Sequence, residues 1–342
     1  MKRRVTSHDV AKAAGVSQSA VSLVLNGHAN ARIPDATRER VFAAARELNY
    51  RRNSVARTLV TGRTQRIGLV AAHPYTLLNP QNYYREILRG MMSSVIQADY
   101  NLMFHSAKYP NDHALCEDIL SGGTDGVLLI GRQTADPLTE TLLEAGFPVV
   151  CVSYIPEAPT AYAVDCDNET GGYLAAKHLL ELGHRQIGLF HDSRRYSWER
   201  ERRAGIERAL RESGYAAVVL QPFELAKFPD ADAVIHEIVA RRRAANPLPA
   251  MIFNDETLPQ QVAEALPAFG VSVPKDFSLV SFNSTDASER TRPPLTSVYQ
   301  PISEIAAAAA ALLVELIEGR EPEPGVRRFP VRLDVRDSTG PV

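Results

Sequence analysis

Two hydrophobic rhythms divide the chain near residue 65. Before that point apolar positions recur at helical spacing: Val10, Ala11 and Ala14, then Val21, Val24 and Leu25, then Val41, Ala44, Ala45 and Leu48. Each set sits between a start signal and a breaker. Thr6 with Asp9 three residues on suits a helix start, and Gly15 permits a tight turn. Ser17 can cap a second helix, 18–25, which Asn26-Gly27 ends, and Pro34-Asp35 opens a third that reaches Leu48. The pattern predicts three short helices around one small core, the arrangement of a helix-turn-helix unit.

From Arg66 onward the rhythm changes. Apolar runs of strand length fall at 67–72, 102–104, 126–130, 149–152, 187–190, 217–220, 251–253 and 279–282. Helical periods fall between them, among them 84–98, 171–182 and 202–212. Strands alternating with helices predict parallel sheets covered on both faces. There are enough units for two such sheets, hence two lobes with a cleft, and ligands of open α/β sheets bind beyond the carboxyl ends of the strands.

Composition adds one contrast. The formal charge of the 342 residues is −2, but residues 1–63 hold twelve Lys/Arg and four Asp/Glu, a net of +8, so the remainder carries −10. A basic head on an acidic body points to a polyanion as partner of the head alone. Hydrophobic residues at 45% and charged residues at 23% fit a soluble globular chain. No run approaches the roughly 18 apolar residues of a membrane helix, and residues 1–10 lack a signal-peptide pattern. Cys116, Cys151 and Cys166 are odd in number and without metal-ligand spacing, as expected of buried thiols in a reducing cytoplasm. Gly183-His184 reads as a helix end, and Gly171-Gly172 lacks the Gly-x-Gly-x-x-Gly spacing of a dinucleotide site. Neither an enzymatic constellation nor a cofactor or metal is expected.

The stretch Asp9-Val-Ala-Lys-Ala-Ala-Gly15-Val-Ser-Gln-Ser-Ala-Val21-Ser-Leu-Val-Leu-Asn26-Gly27 closely resembles the head of LacI-type regulators. Further matches follow in the same order: Thr37-Arg38-Glu39-Arg40-Val41, then Asn53-Ser-Val-Ala56-Arg57-Thr-Leu59, then Arg66-Ile-Gly-Leu-Val70. Asp167-Asn168 with Gly171-Gly172, Leu182-Gly183-His184-Arg185, Asn254-Asp255-Glu256 and Pro293-Pro-Leu-Thr296 with Gln300-Pro301 complete the series. The resemblance implies a small all-α helix-turn-helix head and an α/β core of two doubly wound lobes, like a periplasmic binding protein. The expected divisions are a head at 1–50, a hinge at 51–64, an N-terminal lobe at 65–164 and 294–321, and a C-terminal lobe at 165–293 and 322–342. It also implies a cytoplasmic regulator, by resemblance a repressor, bound as a homodimer to palindromic double-stranded operator DNA and controlled by a small-molecule effector between the lobes.

The DNA contacts implied are Thr6, Ser17, Gln18, Ser19, Ser22, Leu23 and Asn26 in the head, with Ala56 and Leu59 in the hinge. Gln18 and Ser19 open the second helix, whose N-terminal residues face base edges in such units. Leu23 and Ala20 stand where the family favours Arg and Thr, and Arg52 stands where Pro is common. Leu23 could therefore touch a thymine methyl instead of a guanine. Leu59 matches the residue that wedges into the minor groove, its alternative being to pack the hinge against the core.

The cleft residues implied are Tyr83, Tyr84, Ser153, Arg202, Asn254, Asn283 and Gln300. Plain alternatives remain for three: a helix cap for Asn254, simple core for Tyr83 and a surface position for Arg202. Ser153 and Asn283 replace two acidic positions of the family, and Arg194, Arg195, Arg200, Arg202 and Arg203 crowd one segment. Together they point to a sugar or an anionic sugar derivative, such as a sugar acid or phosphosugar. The rival reading is a periplasmic-type sugar-binding protein, which would need a secretion signal and would not need the basic helical head.

Overall fold

The computed structural model describes residues 5–25, 33–50, 58, 61–71, 82–106, 109–190, 195–214, 219–223, 231–242 and 248–342. It divides into two compact units, residues 1–64 and 65–342.

The described residues of the first unit include the helices α1 (Ser7–Ala14), α2 (Gln18–Leu25) and α3 (Asp35–Glu47). Thr6 starts α1 through a reciprocal cap: its hydroxyl accepts from the Asp9 N–H while the Asp9 carboxylate accepts from the Thr6 N–H at 2.9 Å. Gly15 follows at φ +63°, a left-handed turn that glycine adopts without strain. Val10, Ala11, Ala14, Val21, Val24, Val41 and Ala44 are buried together as one small core.

The second unit contains two six-stranded sheets. The first has strands β1 (Arg66–Ala71), β2 (Asn101–Phe104), β3 (Gly126–Ile130), β4 (Val149–Val152), β5 (Tyr162–Cys166) and β11 (Gly325–Phe329) in the order β11-β5-β4-β3-β1-β2. The second has β6 (Gln186–Phe190), β7 (Val219–Phe223), β8 (Ala250–Ile252), β9 (Ser278–Asn283), β10 (Thr296–Tyr299) and β12 (Arg332–Asp334) in the order β12-β10-β9-β8-β6-β7. All pairings are parallel except β12 with β10. Buried Val, Ile and Leu fill both faces of each sheet, as parallel strands under helices require.

The lobe boundaries expected in the last fifty residues need correction. Thr296–Tyr299 pairs in parallel register with β9 and so belongs to the second sheet, not the first. The helix Ile302–Ile317 crosses back to pack on the first sheet, where β11 pairs with β5, and only β12 and the tail return. Each of these short segments satisfies its backbone on the strand it meets, and the sequence does not specify which strand that is. The expected boundary at 165 also falls inside a strand, since Asp165 and Cys166 end β5.

Two helices of the second unit pack unusually closely. The helices Asn168–Glu181 and Ser197–Glu212 approach so tightly that a Cβ on Gly172 would overlap the Arg202 carbonyl oxygen. A Cβ on Gly205 would overlap that of Glu169. Two glycines thus bring the backbone of Arg202 against the neighbouring helix.

Candidate functional site

In the head, α2 buries Val21 and Val24 and leaves Gln18, Ser19, Ser22 and Leu23 exposed. Those four positions share one face of the helix. Ser17 caps the helix by accepting from the Ala20 N–H at 3.2 Å and shares a hydrogen bond with Ser19 at 2.9 Å. The Gln18 amide donates to the Ser7 hydroxyl at 2.8 Å, so its carbonyl end points away from that bond. Leu23 keeps 39% of its surface accessible, a large apolar side chain with no place in the head core. Thr6 is occupied as the α1 cap. Asn26, Ala56 and Leu59 lie outside the described residues.

In the core, Ser153, Asn254, Asn283 and Gln300 end or follow strands, while Tyr83, Tyr84 and Arg202 lie on the helices Asn82–Gln97 and Ser197–Glu212. Arg202 is buried, and its guanidinium lies 3.8 Å from the ring centre of Phe282 and 4.9 Å from that of Trp198. Its Nε donates to Asn168 Oδ1 at 2.9 Å and its Nη1 to the Asn254 carbonyl oxygen at 2.8 Å. Burial pulls its pKa below the usual guanidinium range. Trp198 in turn stacks on Tyr196, with ring centres 5.3 Å apart. Arg202 is thus a buried, bonded group rather than a surface arginine.

The remaining polar groups form a second chain. Cys166 Sγ donates to Gln300 Oε1 at 3.2 Å, and Gln300 Nε2 donates to Asn283 Oδ1 at 3.1 Å. Asn283 sits at φ +88° and Ser153 at φ +56°, left-handed conformations in which non-glycine residues carry strain. Both follow or end a strand, β4 and β9, where the backbone turns out of the sheet. Ser153 lies beside Tyr83, and Tyr84 meets the Tyr83 ring edge-on at 5.3 Å. Asn254 donates to the Phe190 carbonyl at 2.9 Å. The cap of the helix Thr257–Ala265 comes from Asp255, whose Oδ1 accepts from the Thr257 and Leu258 N–H groups. Asn254 is therefore not the cap.

The basic run resolves into separate partners. Arg200 faces Glu157 at 3.5 Å and Arg203 pairs with Glu207 at 2.7 Å, while Arg194 lies outside the described residues. The sequence reading also omitted a carboxylate. Asp165 ends β5 with 2% of its surface exposed, accepting from the Cys166 N–H at 2.7 Å and from Asn168 Nδ2 at 3.0 Å. Burial raises its pKa to about 6, opposed by the Cys166 hydrogen bond and by Arg202 and Arg328. An acidic residue inside an otherwise apolar strand was the available signal. Among the described residues no cluster of metal-ligating side chains occurs, and no helix is long and apolar enough to cross a membrane.

Residues 6–53 match the model of bacterial regulatory proteins of the lacI family, and residues 176–339 that of the periplasmic binding protein-like domain. The HTH-type transcriptional regulator CelR of Thermobifida fusca is 32% identical, covering 98% of this chain and 99% of its own length. The chain belongs to the LacI family. Like its LacI-family relatives it is a transcriptional regulator with a helix-turn-helix head and a two-sheet core of the periplasmic-binding type. A solved complex of the transcriptional regulator CelR with cellobiose is 28% identical, with TM-score 0.71 and coverage of 98% of this chain and 100% of that one. The Lac repressor dimer bound to operator and an anti-inducer shares the LacI-family fold at TM-score 0.82 and 23% identity, covering 99% of this chain and 100% of that one.

Proposed function

We propose that the protein represses transcription as a homodimer on a palindromic operator and that a neutral sugar in the core cleft sets its operator affinity. Gln18, Ser19, Ser22 and Leu23 form the reading surface, with Ser17 and Thr6 at the phosphates. The exposure of all four on one helix face supports that assignment, as does the +8 charge of residues 1–63. A bidentate amide suits adenine and a leucyl side chain suits a thymine methyl. Asn26, Ala56 and Leu59 complete the surface in this reading.

The observation that carries the effector half is Arg202. A buried guanidinium clamped between two aromatic rings, with Nε and Nη1 engaged, is an orienting donor for a polar ligand. Tyr83, Ser153, Asn254, Asn283 and Gln300 add hydroxyl and amide groups on the same cleft, the chemistry of sugar hydroxyls. Neutrality follows from Asp165 beside Arg202 and from the pairing of Arg200 and Arg203 with acids. The sugar named for the CelR complex supports the same class of ligand. The cleft is assigned to binding rather than turnover, and the reading places the protein in the cytoplasm, where its operator is.

The test is an electrophoretic mobility shift with the full chain and the DNA upstream of its own gene. The probes are cellobiose, glucose, galactose and ribose. Specific retardation that one of these sugars changes at least about tenfold in protein concentration supports the reading. Retardation equal on random DNA, or indifferent to every sugar and sugar acid tried, overturns it.

A further inference from the structure

We infer that Asp165 is a specificity-determining residue of the effector cleft, balancing the buried charge of Arg202 through Asn168 and turning away anionic ligands. The inference rests on the sugar-binding reading above and deepens it.

The geometry is a short relay. Asp165 Oδ2 accepts from Asn168 Nδ2 at 3.0 Å, and Asn168 Oδ1 accepts from Arg202 Nε at 2.9 Å. One amide therefore lies between a buried carboxylate and a buried guanidinium, oriented by both. A buried cation needs compensation, yet neither of the acceptors that Arg202 meets directly is charged. Glu201, next to it in sequence, is engaged by Arg328 in two hydrogen bonds at 2.9 and 2.6 Å. Glu199, on the helix that carries Arg202, adds a second buried carboxylate to that of Asp165. The cleft around Arg202 is thus already balanced, and an incoming carboxylate or phosphate meets Asp165 in a medium that screens it poorly. A sugar hydroxyl meets no such penalty. The two neutral replacements, Ser153 and Asn283, do not leave the cleft open to anions, because the negative group has moved to β5.

The charged and titratable groups facing Asp165 are Arg202 and Glu201 on the helix Ser197–Glu212, Arg328 on β11, Tyr83 on the helix Asn82–Gln97 and Cys166 beside it. Burial has brought its titration to about pH 6, so discrimination weakens as pH falls through that value and the carboxyl becomes neutral. An aldonic acid stays ionised down to pH 5, so the ligand's own charge does not change over this range.

The experiment compares a neutral sugar with its own aldonic acid on the full-length protein, read by calorimetry and by the fluorescence of Trp198, the sole tryptophan. Cellobiose and cellobionate are the first pair, replaced by whichever panel sugar binds more tightly and its acid. At pH 8 the wild type should bind the neutral sugar at least about tenfold more tightly. In Asp165→Asn that preference should shrink about tenfold. In the wild type alone, the preference should fall between pH 7 and pH 5, which tests the inference even if the variant folds poorly. A preference that is unchanged in the variant and flat with pH, or a wild type that favours the acid at pH 8, overturns it while leaving sugar binding in place. If neither sugars nor their acids bind, the sugar reading falls and this inference falls with it.

Discussion

The head and the cleft prepare for recognition in opposite ways. The candidate contacts of the head are exposed, carried on one face of a helix over a core of seven buried residues. Those of the cleft are largely buried and already bonded to one another, from Asp165 through Asn168 to Arg202, and from Cys166 through Gln300 to Asn283. An exposed contact can be changed at little cost to folding, because water replaces what is lost. A buried one is part of the fold, and removing it strands its partners. Selectivity in the head thus depends on which side chains are presented, and in the cleft on how charge is balanced inside.

The contrast can be broken most sharply with salt. If the head contacts about six to ten phosphates, operator affinity should fall about 10³–10⁵-fold between 50 and 200 mM salt, while affinity for a neutral sugar barely moves. Fluorescence anisotropy on labelled operator and calorimetry with the sugar would measure the two side by side. Equal salt sensitivity would mean that the cleft, too, works by unscreened charge.

Arg202→Ala comes next in size. It should abolish the response to sugar, at least about a hundredfold in affinity, and leave operator binding in place. It should also lower stability by about 1–3 kcal/mol, the cost of a stranded buried acceptor, at Asn168 or Asn254. Normal calorimetric affinity in the variant would remove Arg202 from the site. Gln18→Ala is its counterpart in the head. About 1–3 kcal/mol should be lost on the operator, with no change on random DNA and no change in melting temperature.

The last effect concerns Asp165 and pH. Its carboxyl ionises at about pH 6 in the fold against 3.8 when exposed. A carboxyl raised in this way favours the folded state only while it is protonated. Its ionisation therefore costs stability progressively from about pH 4 to pH 6, and the loss is constant above that. The full cost is at most about 3 kcal/mol. Asp165→Asn should melt higher than the wild type at pH 8, and the gain should vanish toward pH 4. A variant less stable than the wild type at pH 8 would show that the lost hydrogen bond outweighs the relieved charge.

The same contrast explains what the sequence disclosed. The head was legible because helix caps, glycine turns and the spacing of Val10, Val21 and Val41 are local signals, and the structure reproduces the start at Thr6 and the turn at Gly15. In the core, β1 to β4, β6, β8 and β9 announced themselves as apolar runs. β5, β10, β11 and β12 did not, because Tyr162–Cys166 carries Asp165, Thr296–Tyr299 opens on Thr and Ser, and Gly325–Phe329 and Arg332–Asp334 carry charged residues. Their places follow from edges supplied by distant strands. For the cleft, the resemblance named Arg202 and Gln300 but not what holds them. Phe282, Trp198 and the stretch Asp165–Asn168 come from three separate segments, and no spacing along the chain brings those together.

The central claim is that occupancy of the cleft and binding of operator DNA are linked. Linkage is reciprocal: whatever factor a sugar imposes on operator affinity, the operator imposes on sugar affinity. The most direct measurement is therefore the dissociation constant of the best-binding sugar, read by Trp198 fluorescence, with and without saturating operator. A ratio of about 5–150 between the two, absent when the operator is replaced by random DNA, is the predicted result. A sugar that binds in the cleft with the same constant in both cases would contradict the account.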